Sequence, residues 1–165
     1  MGFLKLNTDG STLGSPRLAN AGRLIRDSNG KWVRGFSRFI GTTNSFAVEL
    51  WGLRDGLELA RKLDIAKLIV EVDAKAMVDI ILSDNNLILD SHPYSALIHD
   101  CRYLIQSFEE AILQHVHREG NFYADLLSKA RSTCDHVFSE FISPPSFVVS
   151  QLLTDIWSIS YPRTL

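Results

Sequence analysis

The chain has 165 residues, 45% of them hydrophobic and 22% charged, with a formal net charge of −2, which fits one soluble globular domain large enough to bury a core. No run approaches the roughly 18 apolar residues of a membrane span, and "MGFLKLNTDG" lacks the basic, apolar and small-residue order of a secretory signal. Cys101 and Cys134 stand far apart without CxxC spacing, which favours reduced, buried thiols in a nuclear or cytoplasmic protein over a disulfide.

Phe3–Thr8 alternates weakly and runs into "DGS", a turn signal, so it reads as a strand that Asp9 ends. Strand-like sequence so near residue 1 suggests a domain cut from something longer, and a monomeric domain is expected. Ala21–Arg26 and Trp32–Ile40 are β-rich runs around "DSNG", where Asn29-Gly30 predicts a hairpin turn because both positions tolerate positive φ. The period then changes. Phe46, Leu50, Leu53, Leu57 and Ala60 recur in steps of three and four, which predicts a helix over Ser45–Leu63 with Ser45 as N-cap. The nearly continuous apolar run 66–73 predicts a strand covered on both faces, Ala74–Leu82 a brief helix, and 83–93 a loop. An apolar stripe from Tyr94 to Phe108 predicts another helix, 111–117 a strand, "REGN" a turn and Asn121–Arg131 a helix. Pro144-Pro145 breaks the chain before an amphipathic piece at Phe147–Leu153. The resulting β-β-β-α-β-α-α-β-α order predicts an α/β fold: a mixed five-stranded sheet, three antiparallel strands followed by parallel crossovers, flanked by helices. Residues 1–143 are expected to form the domain, and 144–165 a helical extension and tail.

Charge is unevenly spread. Residues 14–41 hold six bases (Arg17, Arg23, Arg26, Lys31, Arg34 and Arg38) against one acid, whereas residues 42–110 hold twelve acids against six bases. An anionic partner over the first part is compatible with this, but solvated strand faces are the simpler reading.

Four single acids fall at the ends of elements: Asp9 after the first strand, Glu49 one turn into the first long helix, Asp73 after the fourth strand and Asp125 one turn into the helix after the fifth. Carboxyl ends of neighbouring strands share an edge where ligand sites collect. Gathered there, the acids would repel and some would hold protons unless a cation neutralised them. Oxygen ligands without cysteine point to Mg²⁺ or Mn²⁺ rather than zinc. Two such ions about 3.5–4 Å apart serve in-line phosphodiester displacement, one activating water and one stabilising the leaving oxygen. Taken singly, each acid has a plainer use: Asp9 in a turn, Asp73 as an N-cap, Glu49 as a first-turn acid, and Asp125 on a solvated stripe with Asn121 and Ser128.

"LNTDGS", "AVELWGLRDGL", "IVEVDAKAMV" and "HVHREGNFYADLLSKA" occur in the order and spacing of type 1 ribonuclease H, and over residues 3–131 the chain most resembles the plant reverse-transcriptase-like ribonuclease H domains. The resemblance implies a ribonuclease H-like fold. It implies a metal-binding tetrad of Asp9, Glu49, Asp73 and Asp125, with His115 assisting proton transfer and product release and His117 incidental. Gly10, Ser11, Thr43, Asn44, Ser45 and Asn121 would lie along the substrate, with Asn121 supporting the loop. The implied substrate is the RNA strand of an RNA–DNA hybrid, read through its 2′-hydroxyls and helical shape and cut to leave a 5′-phosphate and a 3′-hydroxyl.

The chain departs from its relatives in three places. Arg23 follows Gly22 where many have a second glycine, Ala74 follows the third acid where bacterial enzymes often have Ser, and the short acidic "SDNNLILDSH" replaces the basic, tryptophan-bearing protrusion of bacterial enzymes. Phosphate contacts dominate hybrid affinity, so weak intrinsic binding is expected, with other segments supplying the rest. A catalytically idle nucleic-acid-binding or scaffold module is the competing reading, against which the four intact acids argue. A zinc site from His115, His117 and Asp125 ranks last, and a proofreading-type exonuclease would need Asp-x-Glu where Asp9 precedes Gly10 and Ser11.

Overall fold

The computed structural model describes residues 2–13, 18–130, 138–150 and 153. Its elements are β1 (Leu4–Leu13), β2 (Leu18–Arg26), β3 (Trp32–Thr42), α1 (Ser45–Lys62), β4 (Lys67–Val72), α2 (Lys75–Ile81), α3 (Asn86–Ser91), α4 (Ser95–Gln106), β5 (Glu110–His115), α5 (Phe122–Lys129) and β6 (Phe138–Phe141). A 3-10 turn at Arg118–Asn121 leads into α5, and residues 146–150 are helical.

The strands form one mixed sheet in the order β5-β4-β1-β2-β3-β6. β4 runs parallel to β1 and β5, while β1–β2, β2–β3 and β3–β6 are antiparallel. The sheet therefore has six strands rather than the expected five. Four residues are too short to display an alternation, and β6 owes its place to tertiary contacts. The Phe138 ring lies 5.3 Å from Phe36 between centroids, and Trp32 Nε1 donates to the Phe141 carbonyl at 3.2 Å.

Helices α1, α2 and α4 cover one face over a core that includes Leu6, Leu50, Leu53, Leu57, Val70 and Ile98. The other face carries α5, where Leu24, Tyr123, Leu127 and Val148 form a second buried cluster. Cys101 is buried in the first core, and burial pushes its thiol up to about 12, which makes it inert at neutral pH. Cys134 and Arg131 lie outside the described residues. No described helix is long and apolar enough to cross a membrane.

Several local expectations change. Asp9 does not end β1: Asp9, Gly10 and Ser11 stay in the strand and pair with Gly22, Ala21 and Asn20. Gly10 serves close packing rather than a turn, since a Cβ there would lie 2.7 Å from Val48 Cγ1 and 3.1 Å from the Glu49 nitrogen. The β2–β3 turn spans Asp27–Lys31, with Asp27 Oδ1 accepting from the Asn29 and Lys31 nitrogens at 2.9 Å each. Only Gly30 takes a positive φ there, 80°. Asn44, not Ser45, caps α1, its Oδ1 accepting from the Ala47 nitrogen at 2.8 Å. The segment 83–93 is not wholly loop, because α3 forms there and inserts Leu89 fully into the core.

The strand arginines do not all face water either. Arg23 is 0% exposed. It donates to the carbonyls of Gly52 and Trp51 at 2.6 and 2.9 Å and to Asp55 Oδ2 at 3.0 Å.

Candidate active site

Residues i and i+2 of a strand share a face, so Asn7, Asp9 and Ser11 of β1 point together toward the face that α5 covers. Asp9 is 6% exposed. Asp73 follows the last residue of β4 and is half-buried. Glu49 reaches the same edge from the start of α1, which Gly10 allows to lie close on β1. A carboxylate oxygen from each of Asp9, Glu49 and Asp73 lies within 4.8 Å of the others.

The fourth acid comes from α5. Gly22, the partner of Asp9 across β1–β2, makes this approach possible, because a Cβ there would overlap the α5 backbone at Ala124, Leu127 and Ser128. Asp125, in the first turn of α5, is 8% exposed and interacts directly with Asp9. Asn121 and Ser128 share its stripe and are 1% and 0% exposed, so the stripe is buried rather than solvated. Asn121 Nδ2 donates to the Thr8 carbonyl at 2.5 Å, tying the start of α5 to β1. The Ser128 hydroxyl lies 3.3 Å from Asp9 Oδ2 and 2.8 Å from the Asp125 carbonyl.

The electrostatics follow from this crowding. Burial, then the Asp73 and Asp125 charges, push the Asp9 carboxyl from 3.8 up to about 7, against a smaller opposing effect of Ser128. Burial and the charges of Asp9 and Asp73 likewise hold Glu49 well above the usual carboxylate range, although the Gly10 backbone donates to it. Its Oε2 is buried without a hydrogen-bond partner. Such an arrangement is costly for the chain alone and suits a hard, oxygen-seeking cation. Asp125 stands apart in one respect: Lys129 Nζ bonds its Oδ2 at 2.6 Å.

The other expected site residues lie around this edge. His115 is the exposed last residue of β5 and pairs in register with Val72, next to Asp73. Its ring meets that of His117 edge-on at 5.7 Å. The two histidines are therefore neighbours in space, yet among the described residues they do not join Asp125 as a metal-ligand group. Ser11 donates to the Ser128 carbonyl at 2.9 Å. Thr43 and Asn44 precede α1, Ser45 opens it, and Asn44 Nδ2 donates to the Tyr94 hydroxyl at 2.7 Å.

Sequence alone assigned no role to Gly22 or Lys129 and placed Ser128 on a solvated stripe. The i,i+4 spacing of Asp125 and Lys129 was a visible signal. Nothing local marks Gly22, whose role exists only once α5 lies across it.

A mixed sheet of this order, with acids from β1, α1, β4 and α5 at one edge, defines a ribonuclease H-like fold. Residues 7–131 match the family model described as Reverse transcriptase-like, and the chain belongs to that family. It is 35% identical over 163 residues to an Arabidopsis thaliana protein named as a ribonuclease H protein, a match covering 99% of this chain and 26% of that protein. The chain thus spans about a quarter of this relative's length. Among solved structures, the ribonuclease H1 of the halophilic archaeon Halobacterium salinarum NRC-1 matches with a TM-score of 0.66 at 22% identity, over 77% of this chain and 95% of that one. A foamy viral protease-reverse transcriptase in complex with an RNA/DNA hybrid matches with a TM-score of 0.68 at 14% identity, over 79% of this chain and 20% of that one. Both likenesses are of fold.

Proposed function

We propose that this chain is a metal-dependent endonuclease that hydrolyses the RNA strand of RNA–DNA hybrids. The observation that carries the proposal is the convergence of carboxylate oxygens of Asp9, Glu49 and Asp73 within 4.8 Å of one another, with Asp125 beside Asp9. Family membership, the ribonuclease H name of the Arabidopsis relative and the hybrid bound by the foamy viral enzyme support it.

In this reading Asp9, Glu49, Asp73 and Asp125 hold Mg²⁺ or Mn²⁺. Divalent ions in such a site, used as a pair, supply Lewis acidity and charge neutralisation for in-line phosphodiester displacement, leaving a 5′-phosphate and a 3′-hydroxyl. His115, exposed at the end of β5, moves a proton to or from the reacting phosphate and aids product departure. Gly10 and Ser11 line the floor beside Asp9. Thr43, Asn44 and Ser45 meet the substrate backbone at the start of α1, and Asn121 keeps the approach to α5 in place. The ribonuclease H-like catalytic domain comprises residues 1–143, with 144–165 as a C-terminal helical extension and tail, and it acts as a monomeric unit of a longer protein.

A second reading, an idle hybrid-binding module, draws on the acidic segment around α3, with Asp84 before it and Asp90 within it, and on Lys129 already bonded to Asp125. Incubation of a labelled hybrid with Mg²⁺, Mn²⁺ or EDTA, beside Asp73→Asn, separates the two. Cleavage that needs the metal and Asp73 supports the nuclease. Cleavage persisting in EDTA refutes the metal mechanism, and hybrid binding without cleavage favours the module.

A further inference from the structure

A second set of polar side chains lies one pleat behind the acids, about 7 Å along the strands. Asn7 precedes Asp9 by two residues, and Glu71 precedes Asp73 by two. Glu71 is 6% exposed and accepts from Asn7 Nδ2 at 3.0 Å, Lys5 Nζ at 3.0 Å and Gln114 Nε2 at 3.3 Å. Arg26 Nη2 donates to Asn7 Oδ1 at 2.7 Å and lies 3.9 Å from Glu71 Oε2. Its guanidinium carbon stands 5.6 Å from the centroid of the Tyr123 ring. One layer therefore links β5, β4, β1, β2 and α5, and Lys5 and Arg26 against Glu71 leave it one net positive charge beneath the acids.

The backbone alone does not tie the acids together. The β1–β4 ladder ends at Thr8 and Val72, so Asp9 and Asp73 both lie beyond its last pair. Asp9 is held by its pairing with Gly22 in β2, but the β1–β4 ladder does not fix Asp73 against it. The Asn7–Glu71 bond joins residues in register one step behind the ladder's end, and Arg26 extends the tie to the helix that carries Asp125. We propose that Asn7, Arg26 and Glu71 are positioning residues, a hydrogen-bonded layer that sets the spacing of Asp9, Asp73 and Asp125 and so the affinity of the site for a divalent cation. This rests on the metal-site reading above. Partners of this kind behind a metal site typically change its affinity by about 10–100-fold when removed.

Calorimetric titration of the whole chain with Mn²⁺ tests it without recourse to activity. Glu71→Gln keeps the shape of the side chain and removes its charge, and Arg26→Met removes the bridging guanidinium. Each is expected to weaken Mn²⁺ binding about tenfold in protein whose near-ultraviolet circular dichroism remains native. The double variant Asn7→Asp/Glu71→Gln, which moves the carboxylate to the neighbouring strand between the same two cations, is expected to recover most of the loss. If Glu71→Gln alone does not fold, Arg26→Met and the double variant decide the matter. Parent-like affinity in a folded Arg26→Met or Glu71→Gln variant overturns the inference, as does a folded double variant that still binds weakly. Parent protein that binds no Mn²⁺, or whose binding survives Asp73→Asn, overturns the metal-site reading itself and this inference with it.

Discussion

Helix α1 carries a buried acid at each of two places, and they live in opposite surroundings. Asp55, 8% exposed, accepts from Arg23 at 3.0 Å, Arg38 at 2.6 Å and Arg54 at 3.4 Å. Glu49, less than two turns earlier, faces Asp9 and Asp73, and one of its oxygens has no hydrogen-bond partner. The first acid is over-compensated by cations, and the charges that weigh most on the second are like its own. Even the paired region carries a cost, since burial draws the Arg23 guanidinium down to about 10 although Asp55 opposes this. A buried charge matched this thoroughly serves the packing of α1 on β2 and β3, whereas an unmatched one marks a place where stability is given up for a ligand.

The contrast can be tested from both sides. Asp73→Asn is expected to lower metal-dependent hybrid hydrolysis by at least about 10³-fold, equivalent to several kcal/mol of lost charge stabilisation, with melting behaviour little changed. A loss of folding in that variant would show Asp73 to be structural. Asp55→Ala is expected to do the reverse, costing about 3–5 kcal/mol because Arg23 is left buried without its carboxylate. Thermal denaturation would reveal this as a fall of roughly 10 °C, and an unshifted melt would remove the distinction between the two regions. His115→Ala should slow turnover on the order of 10²-fold while hybrid affinity, read by fluorescence anisotropy, stays at the parent level.

The smallest expected effect concerns pH. Asp9 has its folded-state pKa raised from 3.8 to about 7, so the stability linked to its protonated form is complete below the lower value and disappears as pH rises through the higher one. In EDTA at pH 8, Asp9→Asn should therefore melt higher than the parent, by about 5 °C. The gap should close toward pH 4, and Mn²⁺ should stabilise the parent more than the variant. Equal melting at pH 8 would mean that burial and the neighbouring acids do not penalise the ionised Asp9 carboxylate.

Much of this architecture is legible in the chain. The stripe Phe46, Leu50, Leu53, Leu57 and Ala60 states α1 within a residue, because the 3.6-residue period is a local property. The run 66–73 similarly states β4. The four acids could be located one by one, and family-like motifs joined them. What was not legible depended on contacts from far along the chain. "DGS" looks like a turn until α1 lies on Gly10. Phe138–Phe141 looks like nothing until Phe36 and Trp32 receive it. Arg23 looks like a solvated strand residue until Asp55 and two helix carbonyls close over it.

The sequence by itself thus determined the periodic elements, their order and the identity of the acids. Tertiary structure alone decided that Asp9, Glu49 and Asp73 crowd together at one edge while Asp55 has three arginines, and that Asn7, Arg26 and Glu71 form a layer behind the first group. The reason is physical. Periodicity is set by neighbours a few residues away, but the energy of a charge is set by whatever the fold brings within a few ångströms, whether forty residues away in the chain or more than a hundred.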